Sequence, residues 1–208
     1  MEHITNRVIL RGTLSGAPEY SHENHGREFY RFYLEVPRLS SAVDILPVIA
    51  SRDLMQSVRL DEGGMITVTG QLRSHNLRMD VKRRLLIFVF AMTICIEDGE
   101  PINDVVLEGP VCREPVYRRT PLGREICDVM LAIPRLYHRA DHIPCILWGR
   151  TAQQFSCFHT SDCVQIHGRL QSREYTKLTE DGPLQKIAYE VSALSGDFIS
   201  SPQSDLKC

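Results

Sequence analysis

Basic side chains stand close to aromatic ones in the second half of the chain, which makes nucleic-acid binding the first chemistry to consider. Arg135 and Arg139 lie on either side of Tyr137, and Arg173 lies two positions before Tyr175. Cationic groups attract phosphates and flat rings stack on bases, so this interleaving is typical of a groove that follows one nucleic-acid strand. The candidates for phosphate contact in this half are Arg135, Arg139, Arg150, Arg173 and Lys177.

The first half has a more compact basic cluster, which the surrounding strand patterns place in a hairpin. Two explanations stay open for it: a solvated turn, or a set of phosphate contacts that add affinity without reading the bases. Its members are Arg73, Arg78, Lys82, Arg83 and Arg84.

Catalytic chemistry has little support in the sequence. There is no phosphate-binding glycine loop, no G-x-S-x-G motif and no carboxylate pair framed by apolar strands. Cys157, His159 and Cys163 are loosely spaced for a zinc site, and no C-x-x-C pair occurs. We therefore expect no enzymatic activity, no metal and no cofactor.

The composition is that of a globular protein without a membrane segment. The 208 residues are 43% hydrophobic and 24% charged, with a net charge of −2 at pH 7. Local clusters must therefore supply any attraction to phosphates. No secretory signal opens the chain, and the longest apolar run, residues 85–96, is too short to cross a bilayer. With seven unpatterned cysteines, these features predict a cytoplasmic protein, associated with the nucleoid if it binds DNA.

The elements that would position these groups occur twice. Residues 6–12, NRVILRG, return as residues 103–109, NDVVLEG, at an offset of 97 positions. The same offset pairs Asp44 with Asp141 without any gap. A repeat of this length is a whole domain, because solenoid units are only about 20–50 residues long.

Each copy shows five strand patterns, with one helical pattern between the third and the fourth. In the second copy the strand patterns lie at 105–107, 126–133, 142–148, 163–167 and 187–193. Helices are expected at 53–59 and 151–157. This order is that of an oligonucleotide-binding (OB) barrel. We predict an all-β chain of two tandem five-stranded OB barrels, with domains at 1–98 and 103–199, a linker at 99–102 and a flexible tail at 200–208.

The second copy resembles the bacterial single-stranded-DNA-binding (SSB) proteins. The resemblance rests on the N-x-V-x-L-x-G motif at 103–109, ILWGR at 146–150, GRLQSREY at 168–175 and YEV at 189–191. These motifs keep their order over most of residues 103–194, whereas the first copy matches more weakly. The resemblance implies sequence-nonspecific binding of single-stranded DNA, in DNA replication, recombination or repair.

The same resemblance assigns the positions that stack on bases. They fall on Tyr137, His142, Trp148 and Tyr175. Each stacked base contributes ~1–3 kcal/mol whatever its identity. Trp148, the only tryptophan, and Tyr175 are expected to contribute most, whereas His142 stands where the family favours a larger ring.

The first copy has no aromatic residue at any of these four positions. The repeat places Ser40, Ile45, Ser51 and Leu77 there. We therefore expect the second domain to stack on bases, and the first to support assembly and to add phosphate contacts at most.

The resemblance implies a working unit of four OB barrels, so a chain with two of them is expected to form a homodimer. The sequence ends Asp205-Leu206-Lys207-Cys208, without the acidic tip through which many SSB proteins recruit replication or repair proteins. In this it is similar to primosomal replication protein N. An alternative function stays open: an OB-fold adaptor of a primosome or replisome that acts mainly through protein contacts. RNA also stays open as a ligand, because nothing in the sequence reads a 2′-hydroxyl.

Overall fold

The computed structural model describes residues 5–79, 82–179 and 182–201, and within them the chain is almost entirely β-structure. No helix in these three segments is long and apolar enough to span a membrane. The helices are α1 (Arg52–Gln56), α2 (Gly149–Phe155) and a 3-10 helix (Leu136–His138). The strands are β1 (Asn6–Asn24), β2 (Arg27–Pro37), β3 (Val43–Ser51), β4 (Met65–Met79), β5 (Lys82–Ile96), β6 (Ile102–Pro110), β7 (Val116–Arg119), β8 (Glu125–Arg135), β9 (Arg139–Trp148), β10 (Cys163–Thr179) and β11 (Gly182–Ser200).

Strands β1 to β5 close into the first barrel. Their order is β2–β3–β5–β4–β1, and β1 returns to pair with β2. β1 pairs with β4 from Val8 to Thr13 and with β2 from Thr13 onwards, so the strand passes from one neighbour to the other at Thr13. β3 and β5 are parallel, whereas the other pairs are antiparallel. This is the predicted OB arrangement, with α1 directly after the third strand.

Strands β6 to β11 repeat that arrangement in the order β6–β10–β11–β9–β8–β7. The long first strand is divided here into β6 and β7, and a bridge between Val111 and Leu131 connects the end of β6 to β8. β9 and β11 are parallel at Cys145 and Val191, and α2 follows β9. The predicted all-β fold of two tandem OB barrels is therefore confirmed.

The sequence located both helices but placed their ends too far along the chain. α1 is Arg52–Gln56 rather than 53–59, because the Ser51 hydroxyl accepts a hydrogen bond from the Leu54 N–H at 3.3 Å and so caps the first turn. α2 is Gly149–Phe155 rather than 151–157. Domain boundaries at 98 and 103 and the linker between them stay predictions, and residues 202–208 of the expected tail lie outside the described residues.

Alternate residues of the barrel strands fill the cores. In β1, Val8 and Leu10 are fully buried, and their equivalents in β6, Val105 and Leu107, are buried as well. Close packing explains the glycine of the G-x-L motif, which occurs at residues 70–72 and again at 168–170. A Cβ at Gly70 would overlap the carbonyl oxygen of the facing strand, and Gly168 has the same close contact in the second barrel.

The asparagine that opens each repeat locks the fourth strand of its own barrel. Asn6 donates from Nδ2 to the carbonyl oxygen of Leu72 at 2.8 Å and accepts from the Leu72 N–H at 2.9 Å. Asn103 makes the same two bonds with Leu170, at 2.8 Å each. Asn6 is buried and Asn103 is half-buried. Because an amide that is removed from water must have its hydrogen bonds satisfied, these contacts account for asparagine at both positions.

The pairing of β1 with β6 joins the two barrels into one continuous sheet. The strands are antiparallel, and Val8 lies opposite Val105, which is its own equivalent in the repeat. The pairing is therefore symmetric about this point, and a local two-fold axis relates the barrels.

Two buried carboxylates cross the junction between the barrels. Asp44, only 1% exposed, accepts from the N–H of Ser172 at 2.7 Å and from its hydroxyl at 3.0 Å. Asp141, fully buried, accepts from the N–H of Ser74 at 2.7 Å. We name these two contacts the reciprocal aspartate clamps. Arginines neutralise both carboxylates: Arg38 at Asp44, and Arg73 and Arg135 at Asp141.

Candidate nucleic-acid interface

Trp148 ends β9 on the outer face of the second barrel. Along β9 the side chains of Ile143, Cys145 and Leu147 point into the core, so Trp148 lies beyond the last core position and is 41% exposed. Its indole N–H donates to the hydroxyl of Ser192 on β11 at 3.1 Å. This hydrogen bond holds the ring by its edge.

Tyr175 lies on β10 and is 37% exposed. The guanidinium carbon of Arg173 is 5.8 Å from the centre of its ring, within cation–π range. Arg173 in turn pairs with Glu190 at 3.2 Å. The predicted ring and its neighbouring cation are therefore adjacent in space as well as in sequence.

Trp148 and Tyr175 lie apart on the surface rather than in one cluster. Ser192, which holds Trp148, lies opposite Arg169 in the β10–β11 ladder. Tyr175 is six residues further along β10, or about 20 Å at the usual rise of a strand. Two rings at this spacing suit an extended ligand that offers a new planar group at each step.

Tyr137 and His142 occupy contrasting positions. Tyr137 belongs to the 3-10 helix rather than to the end of the preceding strand; its φ is 62° and its side chain is 89% exposed. Left-handed backbone at a non-glycine residue is uncommon and is often kept for a function. His142 is half-buried on the outer face of β9, and its N–H donates to the Ser74 hydroxyl at 2.8 Å. His142 therefore lies beside the first barrel.

The basic residues differ in whether an acid already neutralises them. Arg73 and Arg135 bind the buried Asp141 at 3.1 and 3.4 Å, and Arg173 binds Glu190. Three others are exposed and form no ion pair with any residue that the structure describes: Arg84, Arg139 and Arg150. The side chains of four further candidates lie outside the described residues: Arg78, Lys82, Arg83 and Lys177.

Known proteins that resemble this chain identify its family. The model of the single-strand binding protein family matches residues 102–198. Single-stranded DNA-binding protein B of Bacillus subtilis is 31% identical over 80 residues, which are 35% of this chain and 71% of that protein. The chain belongs to the single-strand binding protein family. Single-stranded DNA-binding protein 3 of Listeria innocua is 30% identical over 110 residues, which are 50% of this chain and 67% of that protein.

Other members of the single-strand binding protein family are matched over less of their length. The chain covers 40% of the single-stranded DNA-binding protein of Lactiplantibacillus plantarum, at 33% identity over 81 residues. The solved structure of the single-stranded DNA binding protein from Thermus aquaticus has the same fold over 94% of this chain and 93% of its own, with a TM-score of 0.76 and 22% identity. The likeness in fold thus includes both barrels, whereas the family match lies in the second.

The first barrel of this family member has residues of other kinds at the four equivalent positions. Ser51 caps α1, and Ser40 is exposed in the turn after β2. Ile45 and Leu77 are 43% and 38% exposed. None of these side chains offers an aromatic face.

Aromatic residues of the first barrel lie on other strands, where the comparison of the two copies did not find them. Phe29 on β2 and Phe90 on β5 have ring centres 5.9 Å apart, and His22 on β1 stacks on Phe29 at 5.0 Å with an interplanar angle of 11°. Tyr20 and Tyr30 meet edge to face at 6.0 Å. These residues are distant in sequence and are brought together by strand register, so an alignment of single positions could not group them.

Proposed function

We propose that this chain binds single-stranded DNA without sequence preference, through the outer face of the second barrel. The observation that supports this best is the pair of exposed rings, Trp148 held by Ser192 and Tyr175 beside Arg173. Every base has a flat face, so stacking on these rings tolerates any sequence. Tyr137 and His142 extend the same surface towards the first barrel.

Arginines on this surface supply the phosphate contacts. Arg139 and Arg150 are exposed beside β9 and α2, where their charge can meet a DNA backbone directly. Arg135 and Arg173 are already held by acidic partners, which fixes their orientation but reduces their net attraction. Replacing Arg139 or Arg150 by glutamine is expected to reduce the slope of log affinity against log salt by roughly 0.7 for each phosphate that is no longer neutralised.

Substitution of the two rings tests the proposed function. Trp148→Ala and Tyr175→Ala should each weaken binding of labelled oligo(dT) by about 1–3 kcal/mol, because each removes one stacked base. Tyr175→Phe keeps the ring and should bind nearly as the wild type does. Fluorescence anisotropy measures the affinity, and quenching of Trp148, the only tryptophan, reports contact at β9.

Tyr117 provides the matched control, because it is 38% exposed on β7 and Tyr175 is 37% exposed on β10. Tyr117→Ala should leave the affinity unchanged. Undiminished binding of oligo(dT) by a folded Trp148→Ala/Tyr175→Ala double variant contradicts the proposal. A parallel titration with oligo(U) decides between DNA and RNA.

We further propose that the protein acts in DNA replication, recombination or repair in the cytoplasm, and that it works as a homodimer with four OB barrels. Apolar side chains exposed at equivalent positions of the two barrels support the dimer. Met92 and Leu194 are 60% and 65% exposed, and Ile96 and Phe198 are 60% and 46% exposed. Matching apolar groups on two sides of a local two-fold axis suit a self-complementary contact.

Sedimentation at micromolar concentration tests the dimer. The wild type should sediment at twice the mass of the 23.7 kDa chain, and Leu194→Glu with Met92→Glu should return it to the monomer because charge is costly in an apolar contact. A wild-type protein that stays monomeric overturns this part of the proposal and leaves DNA binding to be judged by its own experiment.

A further inference from the structure

The two barrels have their aromatic residues on different strands. Where one barrel has an aromatic residue on its third strand, the other has one on the neighbouring fifth strand. In the second barrel Trp148 ends the third strand and reaches Ser192 on the fifth strand. In the first barrel the residue equivalent to Trp148 is Ser51, and the residue equivalent to Ser192 is Phe90. The register shows the second equivalence, because Ile49 pairs with Phe90 in β3–β5 as Ile146 pairs with Ser192 in β9–β11.

Phe29 supports an aromatic surface at the same place on the first barrel, and it is itself only 9% exposed. It lies directly opposite Ser51 in the β2–β3 ladder, so Ser51 has aromatic residues on both neighbouring strands. The Phe29 and Phe90 ring centres are 5.9 Å apart, and the exposed His22 ring stacks on Phe29. At the place where the second barrel has Trp148, the first barrel therefore has the exposed His22 ring and the half-buried Phe90 ring, with buried Phe29 in contact with both.

Arginines line the cleft beside these rings. The cleft has a volume of about 210 Å³, and its walls include Arg73 from the first barrel and Arg135 from the second. The Arg73 guanidinium carbon is 5.8 Å from the centre of the Phe90 ring. Arg73 and Arg135 share one carboxylate, that of Asp141, so the group of three retains one positive charge.

We propose that this cleft is a second base-stacking site, in which Phe90 and His22 receive a base of the same DNA strand, Phe29 supports both rings from the core, and Arg73 and Arg135 face the phosphates of that strand. The proposal rests on the proposed function of the second barrel. An aromatic floor beside a cationic wall matches a nucleotide, whose base is flat and apolar on its faces and whose phosphate is anionic. Arg135 belongs to the second barrel, so the wall of this cleft continues towards Tyr137 and His142.

Substitution of Phe90 in the full chain tests the site. Phe90→Leu keeps an apolar side chain but removes the ring, and Phe90→Ala removes both. Both variants should bind an oligo(dT) of ~32 nucleotides about 5- to 150-fold more weakly, the equivalent of removing one stacked base, because this length spans two OB folds. An oligomer of ~8 nucleotides, which one barrel can hold, should quench Trp148 as fully as it does in the wild type.

Tyr20→Leu is the matched control, because Tyr20 is an exposed aromatic residue of the same barrel and is not part of the cleft. It should bind the long oligomer as the wild type does. Wild-type affinity of Phe90→Leu for the long oligomer overturns the second site, even where Phe90→Ala is too unstable to measure. Absence of Trp148 quenching in the wild type rejects the proposed function itself, so the two failures are distinguishable.

Discussion

Two cysteines in the core of the second barrel, Cys127 and Cys145, have thiol pKa values that burial raises. Burial raises the pKa of the Cys127 thiol to about 11 and raises the pKa of the fully enclosed Cys145 thiol further. The thiolate is the reactive form, so both groups stay protonated and inert at pH 8. Cys95 and Cys157, by contrast, are exposed.

We expect the folded protein to show two classes of thiol. Ellman's reagent at pH 8 should modify Cys95 and Cys157 quickly and leave Cys127 and Cys145 unmodified, since the raised pKa and the burial both oppose reaction. Urea should make all of them reactive, which is the internal control. Equal rates for Cys145 and Cys157 in the folded protein, measured by mass spectrometry, would show that the second core is open.

Some aromatic residues of the two barrels could be singled out from the sequence, and others could not. Trp148 and Tyr175 could be proposed from the sequence because motifs in their own strands single them out, and the structure places both rings at the surface. Phe90 could not, because it lies 39 positions after Ser51 in sequence but on the strand beside it. Aromatic surfaces are properties of neighbouring strands, whereas the alignment of a repeat compares one position at a time.

At the scale of elements, β1 and β6 are the most enclosed strands of the sheet. β6 has β1 on one side and β10 on the other, and both pairings are continuous over at least six residues. Among the residues that the structure describes, β7 pairs with β8 alone, and all four of its side chains are exposed. Opening of β6 therefore requires the barrels to separate, whereas opening of β7 does not.

Hydrogen exchange should separate these two strands. Amides of residues 103–107 should exchange only through global unfolding, and amides of residues 116–119 should exchange orders of magnitude faster through local opening. Mass spectrometry of peptic peptides measures both in one experiment. Rapid exchange in β6 would mean that the barrels separate readily in solution.

The order of elements could be predicted almost completely, and contacts between the copies could not. Strand periodicity and turn residues are local, so they give five strands and one helix in each copy. The repeated aspartates, Asp44 and Asp141, were visible in the sequence, but each one binds a serine of the opposite copy. Nothing local identifies Ser172 or Ser74 as such a partner.

At the scale of the whole molecule, the reciprocal aspartate clamps allow each barrel to stabilise the other. Asp44 is a residue of the first barrel that satisfies two donors of Ser172 in the second, and Arg38 neutralises it within 2.6 Å. Removal of one partner from such a buried, charged contact is costly, because the remaining charge and donors are left unpaired.

Asp44→Ala should therefore destabilise the protein by about 3–5 kcal/mol. Urea unfolding followed by Trp148 fluorescence should detect the change, although Trp148 lies in the other barrel. Asp61→Ala is the control, because the exposed ion pair of Asp61 with Arg59 contributes at most about 1 kcal/mol. An unchanged Trp148 transition in Asp44→Ala would indicate that the barrels unfold independently.

The symmetric pairing of Val8 with Val105 also has a consequence for the ligand, because a DNA strand has a 5′ end and a 3′ end. A directional polymer cannot obey a two-fold axis. To pass both barrels in the same direction relative to each barrel's own strands, a DNA strand would have to reverse its course between them. A DNA strand that ran straight across would pass the two barrels in opposite directions relative to their own strands. The frame of this protein is symmetric and the proposed DNA ligand is not, which is a physical reason for the two outer faces to differ while Asn6 and Asn103, and Asp44 and Asp141, are the same in both copies.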